Sequence, residues 1–160
     1  CGALSELLRN HMTLREVNLG SNGIGDKEAE ALAEGLSDNT VLTKLILSNG
    51  HPQQGGDRNS ITNKGWRFFV RLLCDKSSVR NTCHSNHTLN SVTHPHSILY
   101  ARMFDGFRYN GFANPLHPEL VSSLKMNEND DKRSVARQKV LKHHEIDGVT
   151  FDDLLSSVPA

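Results

Sequence analysis

The chain has 160 residues, enough for one ordinary domain, and its 18 Lys plus Arg balance 18 Asp plus Glu, for a formal net charge of zero. That balance argues against a basic nucleic-acid-binding surface. Hydrophobic residues make up only 36%, below the usual share of about 45–50%, which implies open loops, a thin core or a piece of something larger. No apolar run is long enough to span a bilayer.

The first element, "ALSELLRN", reads as a helix, with no secretion signal before it. Because the chain opens on Cys1, a preceding unit is expected upstream, and sequence is expected to continue past Ala160. "TLREVNLGSN" follows, with Val17 and Leu19 alternating against Glu16 and Asn18 as in a half-buried strand. The next letters, "GSNGIGD", are a glycine-rich bend before a helical pattern in which Leu32 and Leu36 form one apolar stripe.

Laid on itself with a shift of 28, the chain places Leu14 on Leu42, Val17 on Leu45 and Leu19 on Leu47, with Leu4 and Leu8 falling on Leu32 and Leu36. A shift of 37 places Asn22 on Asn59, Ile24 on Ile61, Leu32 on Phe69 and Leu36 on Leu73. The two shifts differ by a nine-residue insertion at about 48–58, rich in Gly, Pro and Gln. Such self-similarity is the signature of stacked repeats, in which Leu14, Val17, Leu19, Asn22, Ile24, Leu32, Leu36, Leu42, Leu45, Leu47, Asn59 and Ile61 are structural. The Asn22 amide is expected to bond backbone groups that no neighbouring strand reaches, and Gly23 and Gly25 to allow the bend.

The L-x-x-L-x-L-x-x-N-x-I pattern from Leu14 to Leu36 resembles the ribonuclease-inhibitor type of leucine-rich repeat. "SITNKGWRFFVRLLCDKSSV", "SNHTL" and "LVSSLKMNENDDKRSVARQKVLKHH" are similar to leucine-rich-repeat proteins abundant in diatoms. The resemblance implies an α/β leucine-rich-repeat solenoid with a parallel sheet on its concave face and a mostly helical C-terminal cap. It places repeats at 1–92, with a partial first and a degenerate last unit, and a flanking region at 93–160. With so few units, the fragment is expected to be marginal or self-associating.

"VNLGSNGIGD" also admits a dinucleotide-binding loop, and hence an enzyme. That loop requires an acidic residue at the end of a second strand. Here the second strand, "TKLIL", runs into Ser48-Asn49, and no active-site set follows, so the stretch reads as a repeat bend.

Past Val79 the pattern decays, with Val79, Thr82 and His84 at the strand positions of an edge unit. Phe104, Phe107, Tyr109 and Phe112 lie in a segment expected to be partly buried. A helix starts at Pro118 with Leu120 and Leu124 on one face, a second is expected over about Ser134 to His144, and a third is signalled by Thr150 and Asp153.

Cys74, Cys83, His84, His87, His94 and His96 crowd one region, but their spacing is not that of a structural zinc site. Cys83 beside a histidine lacks a visible third group for nucleophilic catalysis and reads as a surface cysteine. Asn86-His87-Thr88 is a glycosylation sequon by letters only, expected to stay unmodified in an intracellular protein. Lys132, Arg133, Arg137, Lys139 and Lys142 read as a solvated helix face, with Val135, Ala136, Val140 and Leu141 turned inward. An odd, sparse cysteine count fits a reducing compartment, cytoplasmic or nuclear.

The expected function is therefore non-catalytic protein binding on the concave strand face by Glu16, Asn18, Ser21, Lys44, Ile46 and Ser48. Neither cofactor nor metal is implied, and nucleic acid and membrane are not expected partners. Among proteins sharing this repeat type, regulators of a small GTPase of the Ran-activator kind give the alternative.

Overall fold

The computed structural model describes residues 2–47, 59–93 and 118–144. In chain order these form α1 (Gly2–Asn10), β1 (Glu16–Asn18), α2 (Asp26–Leu36), β2 (Lys44–Ile46), α3 (Asn63–Leu73), α4 (Val79–Cys83), β3 (Ser91–Thr93), α5 (Pro118–Met126) and α6 (Lys132–His143). The sheet is parallel with order β1-β2-β3. Glu16 pairs with Lys44 and Asn18 with Ile46, which is the 28-residue register; Lys44 then pairs with Ser91.

The expected strand-rich leucine-rich-repeat solenoid is corrected by these elements. Each strand is only three residues long, whereas α2, α3 and α6 have 11, 11 and 12. The described chain is mostly helical with a small three-stranded parallel sheet. The strands stay short because a side chain interrupts the pairing. Asn59 Nδ2 donates to the carbonyls of both Leu19 and Leu47, at 2.9 and 2.7 Å, just past the ends of β1 and β2.

Each helix is built from local chemistry. Gly23, at φ +71°, takes a left-handed conformation that glycine adopts freely. Gly25 has an ordinary φ of −107° and makes no such demand; Glu28 Oε2 accepts its amide at the start of α2. Asp26 Oδ1 accepts the amides of Thr62 and Gly65, and Oδ2 accepts the Thr62 hydroxyl, so α2 caps the first turn of α3. These bonds, with Thr62 foremost, hold the Asp26 carboxyl below its ordinary range. Asp131 likewise caps α6 through the amides of Arg133 and Ser134.

One core joins α1, α2, α3, α5 and the sheet. Leu8, Leu32, Leu36, Leu42, Leu45, Leu47, Phe69, Leu73, Leu89 and Leu120 are all fully buried in it. Trp66 and Phe69 pack tilted, with ring centroids 5.5 Å apart. Ile24 is buried too, while Leu14, Val17, Leu19 and Ile61 lie half-buried at its margin. Gly35 lets α1 approach α2: a Cβ there would stand 2.5 Å from the Ser5 carbonyl oxygen.

The segment after Val79 differs from the sequence expectation. Val79–Cys83 is a helix, not a degraded strand, and the third strand comes from Ser91–Thr93. Ser78 Oγ caps α4 by accepting the Asn81 amide, and Thr82 Oγ1 folds back to the Ser78 and Asp75 carbonyls. Phe104, Phe107, Tyr109, Phe112 and the third C-terminal helix signalled by Thr150 and Asp153 fall outside the described residues.

Candidate functional site

The two faces of the sheet differ chemically. Val17, Leu45 and Val92 turn toward the helices and belong to the core or its margin. Glu16 and Asn18 are exposed, and Lys44, Ile46 and Ser91 half-buried, on the alternate face. Lys44 Nζ lies 3.1 Å from Glu16 Oε1, with both side chains about half in solvent (41% and 52%), so the pair organises the face more than it stabilises it. Asn18 Oδ1 accepts the Gly20 amide, which stiffens the exit from β1. Ser21 is exposed at φ 62°. Ile46 stands outside the core cluster, an apolar residue among polar neighbours. Ser48 lies outside the described residues. Five of the six residues expected on the binding face are thus described, and Glu16, Asn18, Lys44 and Ile46 lie on two paired strands.

In the turns next to the helices runs a series of buried or half-buried polar side chains that sequence reasoning missed. Asn39 Oδ1 accepts the amides of Val41 and Leu42, while its Nδ2 donates to the Leu8 carbonyl. Asn86 repeats the arrangement: Oδ1 accepts from Thr88 and Leu89, and Nδ2 donates to the carbonyls of Leu36 and Asn39. His11 Nδ1 accepts from Thr13 and Leu14 in the same manner, and Asn127 Nδ2 donates to the Asn86 and Leu89 carbonyls. The signal was present, since "HMTL", "NTVL" and "NHTL" each place His or Asn three residues before a buried or half-buried leucine. By contrast Asn22 is exposed and its Nδ2 reaches only the Gly20 carbonyl. Asn59 performs the role expected of Asn22, because its Oδ1 also accepts the Asn22 and Ile24 amides.

A second polar cluster sits where α6 meets the ends of α3 and α4. Lys139, expected on a solvated face, is fully buried, whereas Leu141, expected inward, is 60% exposed. Helical geometry explains the exchange: Lys139 follows Val135 and Ala136 by four and three positions on the face that packs, and Leu141 does not. Lys139 Nζ donates to the Leu73 carbonyl at 2.5 Å and lies 3.2 Å from His87 Nδ1 and 3.4 Å from the Asn86 carbonyl. The Leu73 carbonyl ends α3, so the amine caps a helix C-terminus. Burial is the main cause that pulls the Lys139 amine down to about 7. His87 is held at about 3, first by burial and then by the neighbouring Lys139 charge. Its Nε2 is 2.9 Å from the Cys83 carbonyl, which fixes that nitrogen as the donor.

Cys83 is fully buried, which corrects its reading as a surface cysteine; burial raises both its thiol and that of Cys74. Neither is suited to nucleophilic attack. His84 is exposed while His87 is buried, and His94 and His96 lie outside the described residues. Among the described residues no three His, Cys, Asp or Glu side chains converge as metal ligands. Asn86 is 4% exposed with its amide doubly bonded, so the sequon is closed to modification in the folded chain. An open groove of about 450 Å³ runs between α2, α3 and α4; its walls carry Glu34, Phe68, Arg71 and His84, with Arg71 paired to Asp75 at 3.0 Å.

The chain matches no protein-family model and no curated protein. No described helix is long and apolar enough to cross a membrane.

Proposed function

We propose that this chain is a non-catalytic protein-binding module that engages its partner through the outward face of the parallel sheet. One observation carries the reading: Glu16, Asn18, Lys44 and Ile46 are aligned in strand register on the face turned away from the core, with Ile46 set among polar groups. A half-exposed apolar side chain ringed by charged and amide groups has the composition of a small recognition patch, with an anchor and a polar rim. The Glu16–Lys44 pair presents both signs of charge side by side, which favours register-specific docking over general attraction. Two buried, free thiols, Cys74 and Cys83, support residence in the cytoplasm or nucleus, where thiols stay reduced.

The test is affinity capture with the wild-type chain and with an Asn18→Arg, Ile46→Arg double variant of matched urea midpoint, followed by titration of each captured protein. A partner whose affinity falls at least about tenfold for the double variant supports the reading, as expected for loss of an anchor. Equal affinity for both baits overturns it.

A further inference from the structure

The contact between Lys139 and His87 has an unusual composition. Two basic side chains, both buried, meet at 3.2 Å, and among the described residues no carboxylate reaches the amine. The other groups facing them are Cys74 beyond α3, Cys83 in α4, His84 after α4 and Lys132 on α6 itself. The acids at this end are engaged elsewhere: Glu119 of α5 pairs with Lys76 at 2.9 Å and Asp75 with Arg71 at 3.0 Å.

With Lys139 charged, the geometry allows only one protonation state of the imidazole. His87 Nε2 donates to the Cys83 carbonyl, so Nδ1 must keep its lone pair to accept from Lys139. An added proton on Nδ1 would set an N–H against an amine and place two cations in contact away from water. α6 is also held by the apolar contacts of Val135, Ala136 and Val140, by a bond of 2.8 Å between His144 Nε2 and Thr82 Oγ1, and by Lys142 Nζ and Lys132 Nζ, which donate to Ser122 Oγ at 2.7 Å and to the Asn127 carbonyl at 3.2 Å.

We propose that α6 is an acid-released latch: seating of Lys139 and protonation of His87 exclude one another, so a falling pH undocks α6 from the junction of α3 and α4. Release leaves His87 in water, where it takes up a proton, and uncovers the apolar side of α6 together with the α3 and α4 ends beneath it. Lys139 acts in the same sense, because its amine is less protonated when docked than when free.

The experiment is hydrogen–deuterium exchange on the full chain at pH 7 and pH 5, corrected for intrinsic rates and read on peptides from α6 and from α2. With His87 at about 3 when docked and 6.5 when free, the opening equilibrium of α6 rises about 25-fold over that interval, while α2 stays unchanged. A His87→Gln variant keeps an acceptor for Lys139 but cannot titrate, and its α6 exchange is expected to lose most of the pH dependence. Lys139→Met, which removes the neighbouring cation but leaves the burial that is the larger cause, gives a second reading and is expected to weaken the response only in part. Nitrogen chemical shifts of His87 in the wild-type chain supply a measurement free of substitution, expected to report the neutral Nε2–H form while α6 is docked. Unchanged α6 protection between pH 7 and pH 5 overturns the proposal. So does opening of α2 in parallel with α6, or an imidazolium His87 beneath a protected α6.

Discussion

Replacing Asn86 with alanine tests whether the buried amide series holds the stacked elements together. Four bonds are lost at once, two from Nδ2 to the Leu36 and Asn39 carbonyls at 2.8 and 2.9 Å, and two to Oδ1 from the Thr88 and Leu89 amides at 2.9 and 2.8 Å. The alanine methyl replaces none of them, and the site is 4% exposed, so water reaches the stranded groups poorly. Leaving a buried polar group without a partner costs about 1–3 kcal/mol. The Leu36 carbonyl keeps the Asn39 amide at 3.2 Å, so the lower end for the three groups left without a partner gives about 3 kcal/mol. That is a large fraction of the roughly 5–15 kcal/mol of a typical domain. In urea unfolding followed by far-UV circular dichroism, a slope of roughly 2 kcal/mol/M turns this loss into a midpoint about 1.5 M lower. Asn22→Ala is the control: it loses one exposed bond to its own turn and is expected to shift stability by less than about 0.5 kcal/mol. A loss below about 1 kcal/mol for Asn86→Ala, or equal losses for the two variants, would refute the reasoning.

Other substitutions separate packing from charge. Gly35→Ala gains about 1 kcal/mol of helix propensity but places a methyl 2.5 Å from the Ser5 backbone oxygen; a net loss of about 1–3 kcal/mol is expected in the same urea assay. Glu16→Gln breaks a half-exposed ion pair and is expected to change stability by less than about 0.5 kcal/mol, even if it weakens partner binding measured by calorimetry. Lys139 makes stability climb with alkali. Its amine is near 10.5 when unfolded and about 7 when folded, so the unfolded chain binds more protons between those values and stability is lost as pH falls toward 7. From pH 7 to pH 9 the unfolding free energy is expected to rise by about 2 kcal/mol, and Lys139→Met is expected to remove that rise.

Local periodicity was legible in the letters. The 28-residue shift that lays Val17 on Leu45 is the register in which β1 and β2 pair, because residues that repeat their inward and outward alternation align when strands lie side by side. The stripe of Leu32 and Leu36, and the helix from Pro118, followed from spacing and end chemistry that act within a few residues. The amount of strand did not follow. A pattern of alternation marks where a strand starts but not how soon Asn59, from a later element, takes the Leu19 and Leu47 carbonyls and ends the pairing. The status of polar residues was hidden for the same reason. Lys139 looks like one more solvated base until the Leu73 carbonyl, 66 residues earlier in the chain, is brought to its amine. Asn39 and Asn86 look like turn residues until the carbonyls of other segments are set opposite them. Sequence by itself determined the apolar faces of β1, β2 and α2, since those depend on near neighbours, but not that of α6, where Leu141 is exposed and Lys139 buried. Only the tertiary structure decided which polar groups are buried, since burial is tolerated only where a distant partner supplies the missing hydrogen bond.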